Sequence, residues 1–165
     1  EEVIALAAAG LDYAVVPGIT AAAGCAAALA VPLTHREVAR SVTFVTGQTA
    51  NGAEPDWPAL AATDQTVVLY MSLRNLGATC ASLIAAGRPA DCPALLIENG
   101  TTPHQRTLTG NLDNLSQQAI DESFGSPALL IVGDVAAWAT DTGAHSAERE
   151  SPWLPAADTA SNLGG

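Results

Sequence analysis

The sequence predicts an α/β domain with a mixed five-stranded sheet flanked by helices. Three observations carry this. Continuous apolar runs at 66–71 (TVVLYM) and 93–98 (PALLIE) are of the kind buried on both faces of a sheet, and 127–132 (PALLIV) reads as a last strand. Segments of helical spacing lie between strands, as with Leu76, Cys80, Leu83 and Ile84 ahead of Gly87 at a C-cap position. The link opening with Asn99-Gly100-Thr101-Thr102-Pro103 is too short for a crossover helix. The strands on either side of it are therefore expected to be antiparallel neighbours.

In chain order, residues 1–10 read as a short alanine-rich helix ending at a glycine, and 12–16 as an apolar strand. Pro17-Gly18 breaks the chain. Thr20 is then expected to cap a helix reaching about Leu29, its hydroxyl accepting an orphan backbone N–H of the first turn. Ala21, Ala22, Ala23 and Gly24 leave this helix nearly bare, which fits either tight helix packing or the approach of a flat ligand. Residues 41–46 (SVTFVT) form a β-branched strand ended by Gly47. A polar loop rich in Gly, Pro and Asp follows, then a short helical piece at 56–62 and the strand at 66–71. A helix at 74–86, strands at 93–98 and 106–109, a helix at 112–122 and the strand at 127–132 complete the domain. After Trp138 the chain turns polar and reads as a tail. The first helix and strand stand apart from this sheet and are expected to belong to another unit.

Composition narrows the function. The 165 residues suffice for one domain, or one domain and a fragment of another, and 48% are hydrophobic, enough to bury a core. Six basic residues, all arginine, face 17 acidic ones for a net charge of −11, which disfavours a nucleic-acid partner. No run of 18 apolar residues predicts a membrane span, and the opening Glu1-Glu2 lacks the positive start of a secretory leader. Cys25, Cys80 and Cys92 have neither disulfide nor metal spacing. They read as buried thiols of a protein in a reducing cytoplasm, with no metal site expected.

Ligands of open α/β sheets gather beyond the carboxyl ends of strands. Four such places stand out: 17–21, 70–72, 98–102 and Gly133-Asp134. Each has small or hydroxyl residues that expose main-chain groups, which suits a neutral or zwitterionic small molecule. None is a P-loop, since the chain contains no lysine. Met71 fits either an apolar lid over a ligand or core filling. His35 and Arg36 lie in a polar cluster that is either a solvated loop or an anion clamp, a guanidinium pairing bidentately with carboxylate. His104 and His145 have no neighbours that point to metal ligation, and a Cys25–His35 nucleophile pair lacks an activating signature.

Four blocks carry a family likeness. VVPGITAAAGCAAALAVPLTHREVARSVTFVTG (15–47), VVLYM (67–71), ENGTTPHQR (98–106) and SPALLIVGDV (126–135) resemble the tetrapyrrole methylases, from Glu1 to about Trp138. PGIT with PLTHR, and ENGTTP with its Gln-Arg, resemble the branch that acts on uroporphyrinogen III. The resemblance implies two successive methyl transfers from S-adenosyl-L-methionine to uroporphyrinogen III, giving precorrin-2 and S-adenosyl-L-homocysteine on the way to sirohaem and cobalamin. It places Thr20, Ala21, Met71 and Gly100 at the cofactor. Arg36 falls on the arginine of the family's Thr-His-Arg motif, for a substrate carboxylate. Glu1 falls in the family's Arg-Gly-Gly-Glu-Glu segment, as a candidate proton acceptor.

The resemblance also implies a homodimer and a division into the end of a first subdomain (1–18), a second subdomain (19–138) and a tail (139–165). The family's glycine-rich first loop and its Gly-Gly-Asp-Pro loop would fall ahead of Glu1. The chain is therefore expected to be the back part of such an enzyme, a poor catalyst alone and without micromolar affinity for S-adenosyl-L-homocysteine. Ser72 stands where glycine is usual, which is tolerable unless the backbone there needs positive φ. Two alternatives stay open: another tetrapyrrole or diphthine-type methyltransferase, or a non-catalytic α/β module that dimerises or binds a ligand.

Overall fold

Five strands form one sheet: β1 (Ser41–Thr46), β2 (Gln65–Tyr70), β3 (Pro93–Glu98), β4 (Arg106–Asn111) and β5 (Ala128–Val132), in the order β1-β2-β5-β3-β4. This computed structural model describes residues 1–47 and 52–139. Strands β1 and β2 pair in parallel, while β5 pairs antiparallel with both β2 and β3, and β3 pairs antiparallel with β4. It follows that β1, β2 and β3 run one way and β4 and β5 the other. The helices are α1 (Glu2–Ala8), α2 (Ala21–Ala28), α3 (Trp57–Leu60), α4 (Leu76–Ala85) and α5 (Leu115–Asp121), with 3₁₀ turns at Leu73–Asn75 and Asp134–Trp138.

The pleat sorts the apolar runs into two cores, because successive side chains of a strand point to opposite faces. Val67, Leu69, Leu96, Leu130 and Val132 pack with Leu76, Cys80 and Leu83 of α4 and Leu115 and Ala119 of α5. Val68, Leu95, Ile97, Leu129 and Ile131 pack with Ala22 and Cys25 of α2 and with Val135 and Ala136. The two strands read as buried on both faces, β2 and β3, lie in the middle of the sheet on either side of β5. The outer strands β1 and β4 are a mixture of partly buried and exposed positions, with Leu108 of β4 buried in the core.

Local chemistry sets the ends of elements. Asp56 caps α3 by accepting the Ala59 N–H at 3.2 Å, and Pro58 sits in the first turn, where its missing N–H costs nothing. The buried Arg88 ties that helix to the sheet. Its guanidinium donates to the carbonyls of Leu60 (2.9 Å), Ala62 (3.1 Å) and Gln65 (2.9 Å), and its Nε to Cys92 Sγ (3.3 Å). Gln65 adds a bond from Nε2 to the Ala59 carbonyl at 2.7 Å.

Two expectations need correction. Residues 12–16 form no strand: the stretch from Leu11 to Thr20 is exposed throughout, with Val16 at 85%. A strand needs a hydrogen-bonded neighbour, and none of the described residues lies beside it. Thr20 stands at the N-cap of α2 with extended φ and ψ, yet its side chain makes no capping bond. The tail beyond Ala139, with His145, and residues 48–51 of the polar loop lie outside the described residues. Among the described residues, no helix is long and apolar enough to cross a membrane.

Candidate active site

Because β5 runs against β2 and β3, the carboxyl ends of β2 and β3 flank the amino end of β5 at one edge of the sheet. Strands two places apart are separated by roughly 10 Å. The loops leaving β2 and β3 diverge over that gap and leave a cavity of about 500 Å³. Met71, Leu73 and Arg74 form one wall, and Asn99, Gly100 and Thr102 the other. Ser126, Pro127, Ala128 and Leu129 line it from the start of β5, and Ala21 and Cys25 of α2 complete it.

The backbone is bent at both strand ends. Met71 has φ 54° and Asn99 φ 50°, a left-handed conformation that costs a non-glycine residue about 1–2 kcal/mol. Met71 is 57% exposed, so it is not core filling. Ser72, next to it, is buried with φ −94°, so no positive φ burdens the serine.

The loop after β3 is held by its own side chains. The Asn99 carbonyl accepts from Thr102 N (3.2 Å) and Thr102 Oγ1 (2.7 Å), and Gln105 Oε1 accepts from Thr101 N at 2.7 Å. Gly100 is a place where only glycine fits: a Cβ there would sit 2.2 Å from Cys25 Sγ and 3.2 Å from Ile97 Cγ2. The wall from β5 is braced by Arg106. Its guanidinium bonds Glu98 at 3.0 Å and the Glu122 carbonyl at 2.8 Å, and stacks 4.2 Å from the Phe124 ring centre.

Tyr70 joins α2 to β2. Its hydroxyl bonds Thr20 Oγ1 and accepts the Ala22 N–H at 3.1 Å, doing for the helix start what Thr20 was expected to do. Tyr70→Phe should strand that N–H at a cost of about 1–2 kcal/mol. Amide hydrogen exchange at Ala22 is expected to speed up in the variant, and unchanged protection there would count against the clamp.

Ala21, Met71 and Gly100 line one cavity, and Thr20 is bonded to Tyr70, another lining residue. Glu1 and Arg36 are outside the lining. Glu1 is fully exposed ahead of α1, and Arg36 projects from the turn closed by the His35–Ala39 bridge. His35 is engaged locally, its Nδ1 accepting the Glu37 N–H at 3.3 Å and its ring edge-on to Trp138 at 4.8 Å. No hydrogen bond joins it to Cys25. Burial pushes the Cys25 thiol pKa up, and that of Cys80 to about 11, so both stay protonated near neutral pH. Among the described residues, no three His, Cys, Asp or Glu gather into a cluster able to hold a metal ion.

The Gly133-Asp134 site needs correction as well. It follows an antiparallel strand and falls at the opposite edge, where a Cβ on Gly133 would sit 3.1 Å from Arg88 Nη2. The sequence reading also missed Cys25, Arg74 and the 126–129 wall. Cys25 was within reach of it, since Ala21 and Cys25 are four residues apart on one helix face. The other two had no sequence signal.

Comparison with known proteins supplies the family. The model of the "Tetrapyrrole (Corrin/Porphyrin) Methylases" matches residues 1–116. A siroheme synthase of Pseudomonas aeruginosa (strain UCBPP-PA14) is 50% identical over 136 residues, 82% of this chain and 29% of that protein. The uroporphyrin-III C-methyl transferase of Thermus thermophilus, solved with S-adenyl homocysteine, superposes with a TM-score of 0.69 at 30% identity. That match covers 82% of this chain and 59% of the other. A cobalt precorrin-4 methyltransferase shares the fold at a TM-score of 0.73 and 20% identity, over 82% of this chain and 57% of its own. The chain thus spans under a third of the siroheme synthase and about three-fifths of the Thermus enzyme. The match over residues 1–116, more than half of the chain, shows that the chain belongs to the tetrapyrrole (corrin/porphyrin) methylases.

Proposed function

We propose that this chain is part of an S-adenosyl-L-methionine-dependent methyltransferase that methylates uroporphyrinogen III at carbon twice, giving precorrin-2 and S-adenosyl-L-homocysteine. The supporting observation is the single cavity that unites Ala21, Met71 and Gly100, with Thr20 tied to its wall. Its volume of about 500 Å³ falls within the range typical of small-molecule sites. Apolar walls from Leu73, Ile97, Pro127 and Leu129 suit a flat purine, and Asn99, Thr102 and Ser126 offer polar groups for its edges.

When bound, the cofactor supplies an electrophilic sulfonium methyl to an electron-rich pyrrole carbon, so the protein's part is alignment and exclusion of water. Thr20, Ala21, Met71 and Gly100 would form the contacts that hold it. The Arg36 guanidinium, exposed and without an ion pair among the described residues, would grip a substrate carboxylate, and the Glu1 carboxylate would take the proton lost from the methylated ring.

Residues 1–18 belong, in this reading, to the end of a first subdomain, and 19–138 to the second. The exposed Ile4, Val15 and Val16 support that division, being apolar side chains left largely uncovered by the described residues. The protein acts as a cytoplasmic homodimer, with a tetrapyrrole as its partner and neither nucleic acid nor membrane.

Titration of the 165-residue chain with S-adenosyl-L-homocysteine, followed by amide shifts, tests the reading. Shifts confined to the surroundings of Thr20, Ala21, Met71 and Gly100 are expected, with affinity weaker than micromolar. A chain that shows no shift there at several millimolar ligand would overturn it. Labelled methyl transfer by the whole enzyme, with uroporphyrinogen III set against other acceptors, separates this reading from methylation of another acceptor.

A further inference from the structure

The cavity lining holds one charged side chain, Arg74, in the 3₁₀ turn that follows β2. It is exposed, and among the described residues it makes neither an ion pair nor a side-chain hydrogen bond. The Glu98 carboxylate at the end of β3 is nearly buried and already held by Arg106 at 3.0 Å. The remaining lining residues are uncharged.

We propose that Arg74 is the anion-binding residue of this cavity, its guanidinium taking a carboxylate of the bound ligand. The inference rests on the methyltransferase reading and names a contact that neither the sequence blocks nor the resemblance placed. A guanidinium matches a carboxylate with two parallel N–H donors, and it stays charged at every accessible pH. The chain's net charge of −11 gives an anionic ligand no general attraction, so a local cation must supply it. A free cation on the wall also disfavours the sulfonium end of a ligand and favours a carboxylate end. Two ligands offer that group: the amino-acid carboxylate of the cofactor and the side-chain carboxylates of the tetrapyrrole.

The test compares the 165-residue chain with Arg74→Gln, an exposed change that leaves the core untouched, by amide shifts at the cavity. Three probes are used: S-adenosyl-L-homocysteine, 5′-methylthioadenosine (which lacks the amino acid) and uroporphyrin III. In the variant, about a tenfold weakening of S-adenosyl-L-homocysteine, with 5′-methylthioadenosine unchanged, supports the inference and assigns the cofactor's carboxylate. A similar weakening of uroporphyrin III alone supports it and assigns the substrate's. Equal affinity of variant and parent for all three overturns the inference and leaves the methyltransferase reading standing. A parent chain whose cavity responds to none of the three overturns both.

Discussion

Arg88→Met is expected to lower the unfolding free energy by about 3–5 kcal/mol, a loss of roughly 10–15 °C in Tm for a domain of this size. The guanidinium is 2% exposed and, among the described residues, has no carboxylate partner; backbone carbonyls of Leu60, Ala62 and Gln65 receive it instead. Methionine fills similar volume but donates nothing. The Leu60 and Gln65 carbonyls would then lose a buried donor, at about 1–3 kcal/mol for each that water cannot reach, while the partly buried Ala62 carbonyl can turn to solvent. Removing a buried charge offsets part of that loss, which is why the sum is placed below the full penalty. Arg88→Lys should recover only a fraction, since one ammonium cannot reproduce the spread of the planar fork. Chemical denaturation checks this, and an Arg88→Met protein within about 1 kcal/mol of the parent would refute it.

Gly100→Ala is expected to cost about 1–3 kcal/mol and to weaken S-adenosyl-L-homocysteine at least tenfold. The added carbon would lie 2.2 Å from Cys25 Sγ, so either the thiol must rotate within a packed helix face or α2 must move. Movement of α2 displaces Ala21, another residue of the cavity wall. The cause can be isolated by a double-mutant cycle. Cys25→Ala removes the sulfur, so Gly100→Ala/Cys25→Ala should regain most of both losses. A double variant as impaired as Gly100→Ala alone would show that the sulfur is not the obstacle.

The strands were legible because their signal is local. TVVLYM and PALLIE announce burial on both faces and PALLIV a last strand, and each lies within a residue or two of β2, β3 and β5. The antiparallel pairing of β3 and β4 followed from loop length and is observed from Glu98↔Arg106 to Pro93↔Asn111. The strand expected at 12–16 shows the limit, since apolar residues specify a strand only when a partner is present. Which edge of the sheet each loop reaches was also hidden. The direction of β5 moved Gly133 away from the cavity and brought Ser126, Pro127 and Ala128 to it. The Tyr70 hydroxyl is likewise a long-range feature, 48 residues from the N–H that it accepts. The small helix beginning at Ala21 packs Ala22 and Cys25 inward and turns Ala21 to the cavity.

The position of β5 bears on how the chain is made. The strand that separates β2 from β3 is the last of the five to be synthesised. Until Val132 has emerged from the ribosome, β1–β2 and β3–β4 are two hairpin-sized pieces, each with a long apolar edge left open on the side that β5 will fill. Such edges are templates for pairing with other chains. A nascent chain stalled before β5 has no cavity and two sticky borders, and insertion of a five-residue strand closes both at once.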